Sequence, residues 1–186
     1  MAKYDFLNEK VNRVRRRVGR IINGKNLPPY AYRFDTREPA VIRISGFQPW
    51  DALGAVSLME HVNNAFAAKH SKAGLQTKYE SQWVSTGGYG LIAKIDPTFA
   101  QQILNTNLYK IDTSIALRTG NFSDANDHFD RAGVNRPYAT QREWIKSGGI
   151  PQEAVIECME GLTYANQLDN RGNAPAENLL QGWRRF

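Results

Sequence analysis

The chain has almost no cysteine, few histidines and no long apolar run. Cys158 is the only cysteine among 186 residues, so no intramolecular disulfide can form. That fits folding in a reducing compartment, or a domain cut from a longer chain. His61, His70 and His128 stand at no metal-ligand spacing, and a lone cysteine cannot build a structural zinc site. No stretch of about 18 apolar residues occurs, so no membrane-spanning helix is expected. The first residues are polar and charged and lack the apolar stretch of a secretory signal. No Gly-x-Ser-x-Gly nucleophile motif appears. Gly87-Gly88-Tyr89-Gly90 lacks the Lys-Ser/Thr of a P-loop and the glycine spacing of a dinucleotide fold.

What is present begins with an uneven charge. The net charge is +6. Lys3, Lys10, Arg13, Arg15, Arg16, Arg17, Arg20 and Lys25 oppose only Asp5 and Glu9, so residues 1–25 carry the whole excess. In the same segment Leu7, Val11, Val14, Val18 and Ile21 recur at steps of four and three, the spacing of one helix face. Pro28-Pro29 ends the pattern. Residues 1–28 therefore read as a basic amphipathic helix and linker, and residues 29–186 as the main domain. The helix either packs its apolar stripe on the domain with a solvated basic face, or meets an acidic partner, nucleic acid or anionic membrane.

Beyond the linker the elements are short and mixed. Ala31–Asp35 reads as a strand, and Pro39–Ser45 as a helical turn ending at Gly46. Asp51 is expected to cap a helix whose Leu58, Met59, Val62 and Phe66 share a face. Tyr79–Ser85 alternates as a strand. Pro97–Leu104 has helical spacing, and Leu108–Ala116 reads as a strand. Gly120–Arg136, rich in Asn, Asp and Gly, reads as a long loop. Strands are expected around Gln141–Glu143 and Ala154–Cys158, with Cys158 an inert core thiol. The tail 166–182 reads as loop. This mixture predicts an α+β fold rather than regular βαβ units.

Three separated segments carry residues suited to one chemistry. In Tyr32-Arg33-Phe34-Asp35-Thr36-Arg37-Glu38-Pro39, followed by Gly46-Phe47, an arginine stands near the start of a strand. A guanidinium there can grip phosphate oxygens through two parallel hydrogen bonds. Alone, Arg33 reads rather as a surface arginine paired with Asp35 or Glu38. In Trp83-Val84-Ser85-Thr86 a strand hydroxyl can hold a nearby carboxylate in one rotamer. In Gln141-Arg142-Glu143, with Gly148-Gly149-Ile150-Pro151 behind, residues 141 and 143 share a strand face. A carboxylate at Glu143 can stabilise a developing cation. His61, between the first two segments, reads alone as a structural histidine.

Taken in order, these segments resemble the arginine, Ser-Thr and Gln/Glu-x-Glu elements of cholera/pertussis-type mono-ADP-ribosyltransferase toxins, the R-S-E class. The resemblance covers about residues 30–160. It implies an ADP-ribosyltransferase fold of two packed, mainly antiparallel β-sheets around an NAD cleft with flanking helices. It implies NAD as cosubstrate and no metal. Arg33 would bind NAD phosphate, with Phe34, Asp35, His61 and Thr86 beside the dinucleotide. Ser85 would orient Glu143, Glu143 would stabilise the oxocarbenium ion, and Gln141 would position the acceptor. The chain departs from the family at Thr36, Glu38 and Gly87, where Ser, Pro and Ser are common. Arginine-modifying members carry Glu where Gln141 stands, which points to a different acceptor. The implied partners are a protein or nucleic-acid acceptor, a delivery module and a cognate immunity protein. The implied setting is a secreted or delivered toxin acting in the target-cell cytoplasm. Two other readings stay open: an NAD glycohydrolase, and a nucleic-acid-binding protein led by the basic helix.

Overall fold

A computed structural model describes residues 27–64, 79–135 and 143–186. The basic segment, Phe66, His70, Gln141 and Arg142 lie outside the described residues. Strand β1 (Tyr30–Asp35) is followed by helix α1 (Pro39–Ser45). Pro39 suits a first helical turn because its missing N–H has no partner there. Gly46 ends the helix at φ +62, and its N–H closes on Ile42 O. A Cβ at Gly46 would stand 2.1 Å from Ile150 O, so no other residue fits without displacing the backbone at Ile150.

Helix α2 (Leu58–Asn64) begins at Ser57 and not at Asp51. Ser57 Oγ accepts the Glu60 N–H, and Glu60 Oε2 accepts the Ser57 N–H, a reciprocal cap that satisfies two end groups at once. Asp51 instead accepts the Leu53 N–H and shapes a turn. Strand β2 (Trp83–Gly87) starts four residues later than the alternation from Tyr79 suggests. Helices α3 (Tyr89–Ala93) and α4 (Pro97–Ile103) lead to β3 (Asn107–Asp112). That strand stops at Asp112, whose carboxylate accepts the Ser114 and Ile115 N–H groups. Capping turns Thr113–Ala116, expected as strand, into helix α5.

The expected loop at 120–136 is also corrected. Phe122–Asp124 is strand β4 and Ala125–Ala132 is helix α6. Asp124 caps α6 through the Asn126 and Asp127 N–H groups, and Gly133 closes it at φ +66. Asn and Asp that read as loop composition are serving as caps here. Strand β5 (Glu143–Ser147), strand β6 (Val155–Glu160), helix α7 (Gly161–Ala165) and the short β7 (Arg184–Arg185) complete the order. The segment between α7 and β7 holds a 3-10 turn at Glu177–Leu179.

The described strands form one seven-stranded antiparallel sheet in the order β4-β5-β2-β1-β3-β6-β7, where two sheets were expected. The joint between β1 and β2 is minimal. β1 pairs with β3 along its whole length, from Tyr30–Asp112 to Asp35–Asn107, and β2 pairs with β5 from Trp83–Ser147 to Gly87–Glu143. Between β1 and β2 only Tyr32 and Gly87 are paired. Arg33, Phe34 and Asp35 therefore have no β2 partner beside them. The sheet is continuous through that pair and open beyond it.

Both halves feed one core. Ala31, Tyr109, Ile111 and Val155 from one side pack with Val84, Phe122 and Trp144 from the other. A second cluster covers the opposite face of β1 and β3 with Tyr32, Leu108, Met159 and Tyr164. A third joins Leu58 and Val62 of α2 to Ala125 and Phe129 of α6 over Ile145 of β5. Each buried Leu, Val, Phe and Ile side chain of this third cluster contributes roughly 1.5–3 kcal/mol. His61 lies on the same helix face as Leu58, three residues on, so docking α2 also buries the imidazole. No helix among the described residues is long and apolar enough to cross a membrane.

Candidate active site

The open seam is where the chemistry-bearing residues meet. Continuing the Tyr32–Gly87 register would set Phe34 opposite Ser85. Instead the Arg33 side chain crosses the gap, and its Nη1 donates to Ser85 O at 2.7 Å. Its Nε donates to Asp35 Oδ2 at 3.0 Å. These two bonds use two of the five guanidinium N–H groups and leave three for a ligand. The side chain is 26% exposed, enough for one to reach it.

Asp35 is the fixed counter-charge. It also accepts from Arg37 through Nε at 2.8 Å, Nη2 at 2.8 Å and the main-chain N–H at 3.0 Å. Burial alone would raise its pKa, but the Arg37 bonds and the Arg33 charge outweigh that and hold it at about 2. Burial pulls Arg33 down, and Asp35 opposes the shift. The Phe47 ring lies 5.3 Å from each of the Arg33 and Arg37 guanidinium centres, a cation–π platform under both.

Phe47 is held in turn by the glycine-rich turn behind Glu143. Phe47 N–H donates to Ile150 O at 2.9 Å, and Ile150 N–H donates to Phe47 O at 2.8 Å. Gly148 and Gly149 reach that position at φ +70 and +72, and a Cβ on Gly148 would stand 1.9 Å from Thr119 O. Two motifs a hundred residues apart, Gly46-Phe47 and Gly149-Ile150, are thus one pairing. It braces the arginine.

On the other side of the seam His61 Nε2 stands 2.8 Å from Ser85 Oγ, and His61 Nδ1 stands 2.7 Å from Ser81 Oγ. Burial, with the Arg33 charge, lowers the imidazole pKa to about 4, so it is neutral near pH 7. Burial raises the Glu143 pKa, while the neighbouring Ser85 hydroxyl and the Arg33 charge pull it back. Arg33, His61, Ser85 and Glu143 therefore form one half-buried group drawn from β1, α2, β2 and β5.

The remaining expected residues fall elsewhere. Thr86 points to the opposite face of β2 from Ser85. Its hydroxyl donates to Trp144 O at 2.7 Å and pins β2 to β5. The Phe34 ring packs edge-on against Tyr164 at 5.5 Å, away from Arg33, though the strand edge at Phe34 has no β2 partner. Gly87 replaces the common serine because a Cβ there would come within 2.4 Å of Leu91 Cβ. Gln141 lies outside the described residues. Cys158 is buried, and burial pushes its thiol up. Among the described residues no group of three or more His, Cys, Asp or Glu is placed to hold a metal ion.

Sequence reasoning missed Ser81 and the role of Phe47. Ser81, Trp83 and Ser85 lie at steps of two, which was the available signal for Ser81. A hollow of about 950 Å³ opens elsewhere, against β6 and β7, between Tyr30, Arg43, Lys110, Glu157 and Phe186; the cluster does not line it.

No family model and no curated protein matches the chain. Among solved structures it is similar to EcPltA, at 16% identity over 70% of this chain and 74% of that one, with a TM-score of 0.46. It is similar to the Scabin toxin from Streptomyces scabies in complex with NADH, at 21% identity over 82% and 72%, with a TM-score of 0.45. It is also similar to a guanine-specific ADP-ribosyltransferase, at 20% identity over 72% and 67%, with a TM-score of 0.46.

Proposed function

We propose that the protein is a mono-ADP-ribosyltransferase of the R-S-E class, using NAD as cosubstrate and a macromolecular acceptor other than arginine. The observation that carries this is the convergence of Arg33, His61, Ser85 and Glu143 at the open seam. Four segments that are distant in sequence bring two charges and two hydrogen-bonding groups together under partial burial, which packing of apolar faces does not by itself require.

Each residue then has a task. The free N–H groups of Arg33 bind the pyrophosphate, and Phe47 and Asp35 hold the guanidinium in place. The nicotinamide–ribose bond breaks with its electron pair leaving on the nicotinamide nitrogen, so the ribose becomes an oxocarbenium ion. Glu143, held by Ser85, stabilises that cation as it forms. The acceptor nucleophile bonds to the ribose carbon and loses its proton to solvent water. Gln141 is assigned to the acceptor. A neutral amide with one acceptor and two donors suits an uncharged nucleophile better than a guanidinium. This reading carries with it delivery into a target cell and a cognate immunity protein.

The test is incubation with NAD labelled in the ADP-ribose moiety and a cell lysate. Label in protein or nucleic acid is the expected outcome, with mass spectrometry placing it on a residue or base other than arginine. Nicotinamide release with no labelled macromolecule would make the protein an NAD glycohydrolase. No nicotinamide release at all would overturn the reading.

A further inference from the structure

We propose that Ser81 is a positioning residue that sets the direction of the hydrogen-bond chain running through His61 to Ser85, by holding His61 as its Nε2–H tautomer. Its effect on turnover rests on the transferase reading above; the tautomer itself does not.

The argument follows protons. Ser81 is fully buried. Its Oγ accepts the Trp83 main-chain N–H at 3.2 Å and lies 2.7 Å from His61 Nδ1. A main-chain N–H can only donate, so that bond has a fixed direction. Among the described residues the hydrogen bonds of Ser81 Oγ offer its proton one acceptor, the Nδ1 lone pair. A proton on Nδ1 would leave the buried Ser81 proton without a partner, which is unfavourable. Neutral imidazole has one donor and one acceptor nitrogen. With Nδ1 accepting, Nε2–H must donate to Ser85 Oγ, 2.8 Å away. Ser85 then keeps its own proton to offer to the neighbouring Glu143 carboxyl, whose pKa it lowers. In the reverse arrangement Ser85 would donate to Nε2 and turn a lone pair toward the carboxylate. The chain from Trp83 through Ser81, His61 and Ser85 therefore delivers a donor to Glu143, starting from a main-chain group that cannot reverse. Ser81 itself touches no substrate.

The experiment is two-bond ¹H–¹⁵N correlation spectroscopy on histidine-labelled full-length protein at pH 7, with His61 assigned by its loss in His61→Gln. A pyridine-like Nδ1 and a pyrrole-like Nε2 are expected. A pyrrole-like Nδ1 would overturn the proposal without touching the transferase assignment. Ser81→Ala should shift the tautomer ratio and lower kcat about tenfold, the scale of one lost hydrogen bond, with KM for NAD little changed. Ser81→Thr, which keeps the hydroxyl, should restore both. An unchanged tautomer in folded Ser81→Ala would also overturn it. If Ser81→Ala does not fold, the native spectrum decides alone.

Discussion

Arg33 Nη1 donates to Ser85 O at 2.7 Å across strands that no longer pair at that level. One side chain thus does what the β-ladder stops doing, and it does so with a charged group that has N–H donors to spare. The seam stays open and keeps a fixed width. A ligand entering there meets a cation anchored at two ends.

Arg33→Lys tests that anchor. Lysine carries the charge but has no planar fork, and it cannot bond Ser85 O and Asp35 together while facing a phosphate. KM for NAD should rise at least ~10-fold in steady-state nicotinamide release, with the melting temperature little changed. An unaltered KM would make Arg33 a structural strut only.

Glu143→Gln keeps the shape and removes the charge. Turnover should fall at least ~100-fold, the scale of a lost preorganised electrostatic contact, while circular dichroism stays native. The acid limb of the native pH–rate profile should lie above the ordinary glutamate pKa of about 4.3, because burial raises Glu143. The neighbouring Ser85 hydroxyl opposes that rise, so Ser85→Ala should move the limb to higher pH. A limb that stays put or moves down would separate Ser85 from Glu143.

His61 gives a stability signature. Its folded pKa, about 4, is below the unfolded value of about 6.5, so the unfolded chain binds the proton more readily. Stability should be full above pH 6.5 and decline as pH falls toward 4. Thermal melts across that range should show the slope in the native protein and lose it in His61→Gln. Asp35, held at about 2, acts lower, between roughly pH 3.9 and 2. No rate inflection near pH 6.5 is expected, since the imidazole is already neutral there.

Lys146 predicts the opposite limb. It is fully buried on β5, its ammonium donates to Ser147 O and to Thr119 Oγ1, and burial lowers its pKa to about 8. The unfolded value is about 10.4, so the unfolded chain again holds the proton more tightly. Stability should rise from pH 8 to about 10, and Lys146→Met should abolish that rise in denaturant titrations. The window closes near pH 10, where burial of Tyr109 and Tyr164 raises their pKa values and begins to favour the unfolded chain.

Local features are legible in the chain alone. Ala31–Asp35 and Ala154–Cys158 read as strands, Pro39 and Gly46 bound α1, and the resemblance of three motifs to a toxin family singles out Arg33, Ser85 and Glu143. These depend on neighbours a few residues away, and the chain records them directly. Composition misled where one residue type serves two ends: Asp112 and Asp124 read as strand and loop but cap α5 and α6. Asp51 reads as a cap, but Ser57 and Glu60 supply that cap between themselves. That one sheet opens at a single residue pair emerges only when the chain folds. The same is true of the pairing of Gly46-Phe47 with Gly149-Ile150 under Arg33, and of His61 standing between Ser81 and Ser85. The physical reason is that each of these is a contact between segments that no local periodicity links. Its geometry follows from how the halves of the sheet and α2 pack around shared cores.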